Sequence, residues 1–228
     1  TTSHPKDLSD VLMNAVADLP TACEHVHLPV QSGSDWVLDR MNRGYNRSEY
    51  LDLVKRIRDR VPDVALTTDL IVGFPGENDR RFAETLELMK EVRFDSAFMF
   101  RYSVRSGTKA AGFEDDVPEA TKIARLERVI ALQQGITEEI NRGLVGEVVE
   151  VLVEGPSEKD PEMLFGRARS GKAVVFPARG GVVEACTPGA EISSGPADGA
   201  TDGDSVGRSG EAVPVEVRSA SAWTLHGV

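Results

Sequence analysis

Residues 66–77 read Leu-Thr-Thr-Asp-Leu-Ile-Val-Gly-Phe-Pro-Gly-Glu. An apolar run entered through threonine and aspartate, and ended by glycines, a proline and an acid, is the pattern of a buried strand. Such a strand delivers a ligand-holding loop at the carboxyl edge of a parallel sheet. Gly73 lets a small molecule approach the backbone, and Glu77 or the loop amides hold it. The same residues also suit an ordinary β–α turn with an acid in the first turn of the following helix. A second group, Gln31-Ser32-Gly33-Ser34, closes the apolar stretch at 25–30. Ser34 suits a helix N-cap, which leaves Gln31 and Ser32 to face a pocket. If the strands are parallel, both loops fall on one rim. Arg101, Tyr102, Ser103 and Arg105 follow the next strand, where an arginine suits an anion or carboxylate and surface ion pairing is the alternative.

His25 and His27 alternate onto one strand face, but a metal pair needs a third ligand, and His4 is the only nearby candidate. Polar core or pocket roles suit them better, and no metal site is expected. The two cysteines, Cys23 and Cys186, are too far apart in sequence to read as a disulfide framework or a metal knuckle. They fit a reduced, cytoplasmic setting. No G-x-G-x-x-G fingerprint and no phosphate loop ending in G-K-[ST] occurs. A net charge of −11 argues against a broad phosphate-binding surface, so any contact with RNA needs a local basic patch. Lys159, Arg167, Arg169, Lys172 and Arg179 form such a subset, with Phe165 and Phe176 among them. Stacking beside basic contacts is how small barrels bind RNA, although each phenylalanine suits a core position equally.

The elements that must position these residues alternate. Helical spacing is predicted over 7–19, 35–41, 47–61, 79–92 and 118–141, and strands over 25–30, 64–72 and 95–102. Strand–helix alternation predicts a parallel sheet covered by helices, with too few units to close an eight-stranded barrel. The last helix is expected to bury Ile123, Leu126, Val129, Ile130, Leu132, Ile136 and Ile140. Beyond residue 146, short strands at 148–154, 166–169, 172–177, 182–184, 213–217 and 221–227, parted by glycine turns, predict a small antiparallel barrel. Residues 193–210 hold almost nothing to bury and are expected to be a disordered loop. No stretch approaches membrane-spanning length, and Thr1 in place of an initiator methionine fits a longer parent polypeptide.

Several motifs in order carry a specific resemblance: His27-Leu28-Pro29-Val30-Gln31-Ser32-Gly33-Ser34, Met41-Asn42-Arg43-Gly44-Tyr45, residues 68–77, and Tyr102-Ser103-Val104-Arg105-Ser106-Gly107-Thr108. Together they resemble the methylthiotransferase family of radical S-adenosylmethionine enzymes. Residues 151–157 with Gly166-Arg167 and Val175-Phe176 resemble its branch acting on N6-isopentenyladenosine at tRNA position 37, and the second domain resembles its TRAM domain. The resemblance implies an α/β fold: the C-terminal part of a partial (β/α) radical SAM barrel at 1–142, then a small antiparallel TRAM-like β-barrel at 143–228. It also implies S-adenosylmethionine and two [4Fe-4S] clusters as cofactors, and tRNA carrying N6-isopentenyladenosine as partner. The relative acting on N6-threonylcarbamoyladenosine, or a non-catalytic RNA-binding module, is the alternative. Carried over by position, Ser32, Ser34, Thr68, Asp69, Gly73, Glu77, Phe100 and Tyr102 stand on the S-adenosylmethionine side, and Lys159, Arg167, Arg169 and Lys172 on the RNA side. The family's Cys-x3-Cys-x2-Cys loop has no counterpart here, so the missing N-terminal part of the same polypeptide is expected to supply it, and the chain alone is expected to be inactive.

Overall fold

The structure is a computed structural model that describes residues 3–178 and 209–228. Arg179, the strand expected at 182–184, Cys186 and the loop expected at 193–210, apart from its last two residues, lie outside the described residues. The chain divides into two compact units, Thr1–Ile140 and Asn141–Val228.

In the first unit three strands, β1 (His25–His27), β2 (Ala65–Val72) and β3 (Ser96–Arg101), form a parallel sheet in the order β1-β2-β3. Between them run α2 (Asp35–Arg40), α3 (Arg47–Arg60) and α4 (Asp79–Val92); α1 (Asp10–Asp18) precedes the sheet and α5 (Glu119–Arg142) follows it. Local chemistry sets the helix starts. Ser9 accepts from the Leu12 amide, and Asn46 and Glu49 close a reciprocal capping box at α3. The predicted 25–30 strand ends early. Pro29 has no amide proton to give, Val30 donates to the Thr68 hydroxyl instead of a backbone carbonyl, and Gln31 turns left-handed before bridging to Leu70.

Side chains alternate across the sheet. Val26, Leu66, Leu70 and Val72 face the helices and join Tyr50, Ile57, Phe82, Leu88 and Phe94 in one core. The opposite face carries His25, His27, Thr67, Asp69, Ile71, Phe98 and Phe100. On it Thr67 Oγ1 lies 3.1 Å from His25 Nε2 and 2.9 Å from His27 Nδ1, and His27 Nε2 lies 3.3 Å from Asp69.

Helix α5 packs Val129 and Ile136 into the core and Leu126, Leu132 and Ile140 against it as expected, but a polar stripe beside them is buried as well. Lys122, Arg125, Val129, Gln133, Ile136 and Thr137 are buried, whereas Ile123 is exposed and Leu126, Ile130, Leu132 and Ile140 are half-buried. The reason is unmet acceptors beneath the helix. Gln133 donates to the Phe94 carbonyl at 2.7 Å, Thr137 to that of Asp95 at 2.9 Å and Arg125 to that of Glu77 at 2.8 Å. Buried carbonyls need donors, so a polar stripe is buried alongside the apolar one.

The second unit is a closed barrel of β4 (Val148–Pro156), β5 (Met163–Ala168), β6 (Ala173–Pro177), β8 (Thr224–Gly227) and β7 (Ala212–Ala220), in that order around the ring. All neighbours are antiparallel except β6 and β8, which pair in parallel from Ala173 and Thr224. A ring of five strands cannot alternate direction throughout, so one parallel seam is required by closure. Val151, Val153, Val174, Phe176, Val215, Val217 and Leu225 fill the interior.

Candidate functional site at the carboxyl ends of the strands

The glycine loop after β2 is fixed from within and from α5. Glu77 is buried, and its Oε2 accepts from the Gly73 amide at 2.6 Å and from Arg125 at 3.0 Å. Arg125 also donates to Asp79 at 2.8 Å. Gly73 sits at φ +73°, and a Cβ there would lie 2.4 Å from Lys122 Cγ, so both the turn and the helix packing require glycine. Lys122 is itself buried, 2.5 Å from Asp115. Burial pushes the Glu77 carboxyl above its ordinary value, against the opposing pull of the Gly73 amide and Arg125. Sequence reasoning missed Lys122 and Arg125. The signal was present as two cations one helical turn apart near the start of the helix.

The candidate residues separate into those at a pocket and those behind it. A pocket of about 500 Å³ opens where the strands end. Asp69, Phe100 and Tyr102 line it, together with Gln31, Ile71 and Phe74. Tyr102 forms part of its floor, edge-on to Phe74 with centroids 5.2 Å apart, and donates to the Ala110 carbonyl at 3.1 Å. Ser32, Thr68, Gly73 and Glu77 do not line this pocket. Ser32 is fully buried, 3.2 Å from the Thr85 hydroxyl, and accepts from the Ser34 amide. Thr68 donates to the Leu28 carbonyl at 2.9 Å. These atoms hold the loops together rather than facing outward. Ser34 occupies the N-cap of α2, but its hydroxyl makes no capping bond; it is buried beside a different cavity of about 570 Å³, walled by Trp36, Arg47, Arg81 and Glu84.

The 500 Å³ pocket suits a nucleoside-like cofactor, because Gln31 and Asp69 offer polar atoms beside the apolar faces of Ile71 and Phe100. An iron–sulfur cluster does not fit this chain. It needs a set of thiolates, whereas the sequence has two cysteines, of which Cys23 is exposed and unpaired. Among the described residues, no three His, Cys, Asp or Glu side chains converge as a metal site.

In the barrel, the four basic candidates do not form one cluster. Arg167 on β5 pairs with Glu154 at 2.8 Å, and Arg169, in the turn that follows, lies 3.4 Å from Glu150. Lys172 sits across that turn, where its carbonyl accepts from Ala168. Lys159 is exposed in the connection before β5, at the opposite end of the strand. Of the two aromatics, Phe176 is core and Phe165 is half-buried, with the Arg167 guanidinium 5.7 Å from its centroid.

Comparison with known proteins adds the family. The radical SAM superfamily matches residues 2–89 and the TRAM domain residues 142–185. The tRNA-2-methylthio-N(6)-dimethylallyladenosine synthases of Syntrophomonas wolfei and Clostridium botulinum are each 53% identical over 77% of this chain. The same-named protein of Acetivibrio thermocellus is 51% identical over 78%. These alignments cover 40%, 39% and 37% of the relatives, so the chain spans about two-fifths of their length. Among solved structures, the radical SAM coproporphyrinogen III oxidase of Escherichia coli aligns with 58% of this chain and 31% of its own. The TM-score is 0.48 and the identity 22%. A radical SAM segment followed by a TRAM domain, with about half the residues identical to these relatives over most of this chain, matches the domain architecture of the tRNA methylthiotransferases among radical S-adenosylmethionine proteins.

Proposed function

We propose that this chain is the C-terminal part of a tRNA-2-methylthio-N6-dimethylallyladenosine synthase. The intact protein is a transferase that places a methylthio group on C2 of N6-isopentenyladenosine at tRNA position 37. Residues 1–142 supply the later part of the radical SAM barrel, and residues 143–228 a TRAM-like RNA-binding barrel. The observation that carries this reading is the identity of 53% to synthases of that name over 77% of the chain, beside a radical SAM match at residues 2–89 and a TRAM match at 142–185. When bound, S-adenosylmethionine and two [4Fe-4S] clusters supply radical generation and sulfur insertion. The cluster thiolates come from the preceding part of the polypeptide. This chain's contribution is a wall: Asp69, Phe100 and Tyr102 face the cofactor, while Ser32, Ser34, Thr68, Gly73 and Glu77 hold the rim loops in place. Lys159, Arg167, Arg169 and Lys172 contact tRNA. No helix among the described residues is long and apolar enough to cross a membrane, and the reading places the protein in the cytoplasm, where tRNA is modified.

Nucleoside analysis of tRNA from a strain lacking the gene tests the reading. Loss of the 2-methylthio group, with N6-isopentenyladenosine retained, is expected. Loss instead of the methylthio group on N6-threonylcarbamoyladenosine would move the assignment to that relative, and unchanged tRNA would overturn it.

A further inference from the structure

The pocket at the strand ends is far more basic than the chain that forms it. The chain carries a net charge of −11, yet five cations line this opening, Arg40, Arg43, Arg101, Arg105 and Lys109, against one carboxylate, Asp69. Three of the five are already engaged. Arg101 pairs with Glu119 at 2.9 Å. Arg43 donates to the Tyr45 hydroxyl and the Pro29 carbonyl. The Arg40 guanidinium lies over the Phe113 ring, 4.0 Å from its centroid, which orients it without neutralising it. Arg105 and Lys109 are exposed on the segment that follows β3. Phe100, more than half exposed, presents its ring to the same opening. One small carboxylate would be served by a single arginine fork. Cations spread around a mouth with an aromatic wall match a single-stranded nucleic acid, whose phosphates are spaced along a backbone and whose bases stack.

We propose that Arg40, Arg43, Arg105 and Lys109 grip the phosphodiester backbone of nucleotides flanking the target adenosine. The radical SAM unit is then itself an RNA-binding surface and holds the strand at the chemistry. Arg167 and Arg169 of the barrel, each beside a glutamate, contribute less. The proposal rests on the tRNA reading above.

The test is an anisotropy titration of a labelled anticodon stem-loop RNA with the full-length polypeptide at several salt concentrations. Paired replacement of Arg105→Ala and Lys109→Ala leaves the core packing intact. It is expected to weaken binding about tenfold and to lower the slope of log K against log salt by about 1.4, roughly 0.7 for each single-strand phosphate that is no longer neutralised. Arg105→Lys with Lys109→Arg is expected to bind as the parent does. If the parent binds and the paired alanine variant binds equally well with an equal salt slope, the proposal is overturned while the tRNA reading stands. A parent that binds no stem-loop RNA overturns the tRNA reading, and the proposal with it.

Discussion

At residue scale the central group is Glu77. Its carboxylate is the acid that ends the most informative motif in the sequence, yet it faces inward to the Gly73 amide and Arg125. Removing one partner of a buried ion pair leaves the other uncompensated. Arg125→Ala is therefore expected to cost about 3 kcal/mol in chemical denaturation of the first unit. The pH dependence follows from the direction of the shift. The folded state keeps the Glu77 proton above the ordinary value of 4.5, where the unfolded chain has released it. This contribution is therefore fully present below 4.5 and is lost as pH rises through the raised value. Glu77→Gln lacks that loss, so its melting temperature should gain on the parent as pH rises through the same window. A gap that narrows with pH would mean that Arg125 outweighs burial.

At the scale of elements, the rim is built by loops pressed onto helices. A Cβ at Gly33 would lie 2.4 Å from the Glu84 carbonyl oxygen and 2.7 Å from the Thr85 Cα, both rigid backbone of α4. Gly33→Ala is expected to cost about 2 kcal/mol or more by overpacking, read as a lower denaturation midpoint with unchanged slope. Asn46→Ala, which opens the capping box of α3, should cost about 1 kcal/mol in the same measurement. The strands and most of the helices were legible because their apolar spacing records burial directly. The polar stripe of α5 was not, because Lys122, Arg125, Gln133 and Thr137 are inward for their donors, and acceptors from distant segments leave no local periodicity. The rim loops were legible as loops, but which atoms line the pocket was not. Two residues apart, the Ser32 hydroxyl bonds Thr85 and the Ser34 amide while the Ser34 hydroxyl makes no bond, and Thr68 and Asp69 are neighbours pointing to opposite sheet faces.

At the scale of the whole molecule, the two units differ in closure. The barrel closes on itself and has no open edge. Among the described residues the parallel sheet ends at β1 on one side and β3 on the other, and its non-helical face leaves Phe98 61% and Phe100 53% exposed. Unpaired edges beside exposed aromatics template association. The isolated chain should therefore sediment as concentration-dependent oligomers, and the full-length polypeptide should not; a monodisperse monomer of the chain alone would count against a missing barrel half. The most direct measurement is turnover. Full-length protein with reconstituted clusters, S-adenosylmethionine and a sulfur source is incubated with tRNA bearing N6-isopentenyladenosine, and the nucleosides are resolved by mass spectrometry. The 2-methylthio product is expected from the full-length protein and none from the 228-residue chain. Product from the chain alone, or a loaded full-length protein that leaves this nucleoside unchanged, would contradict the proposed function.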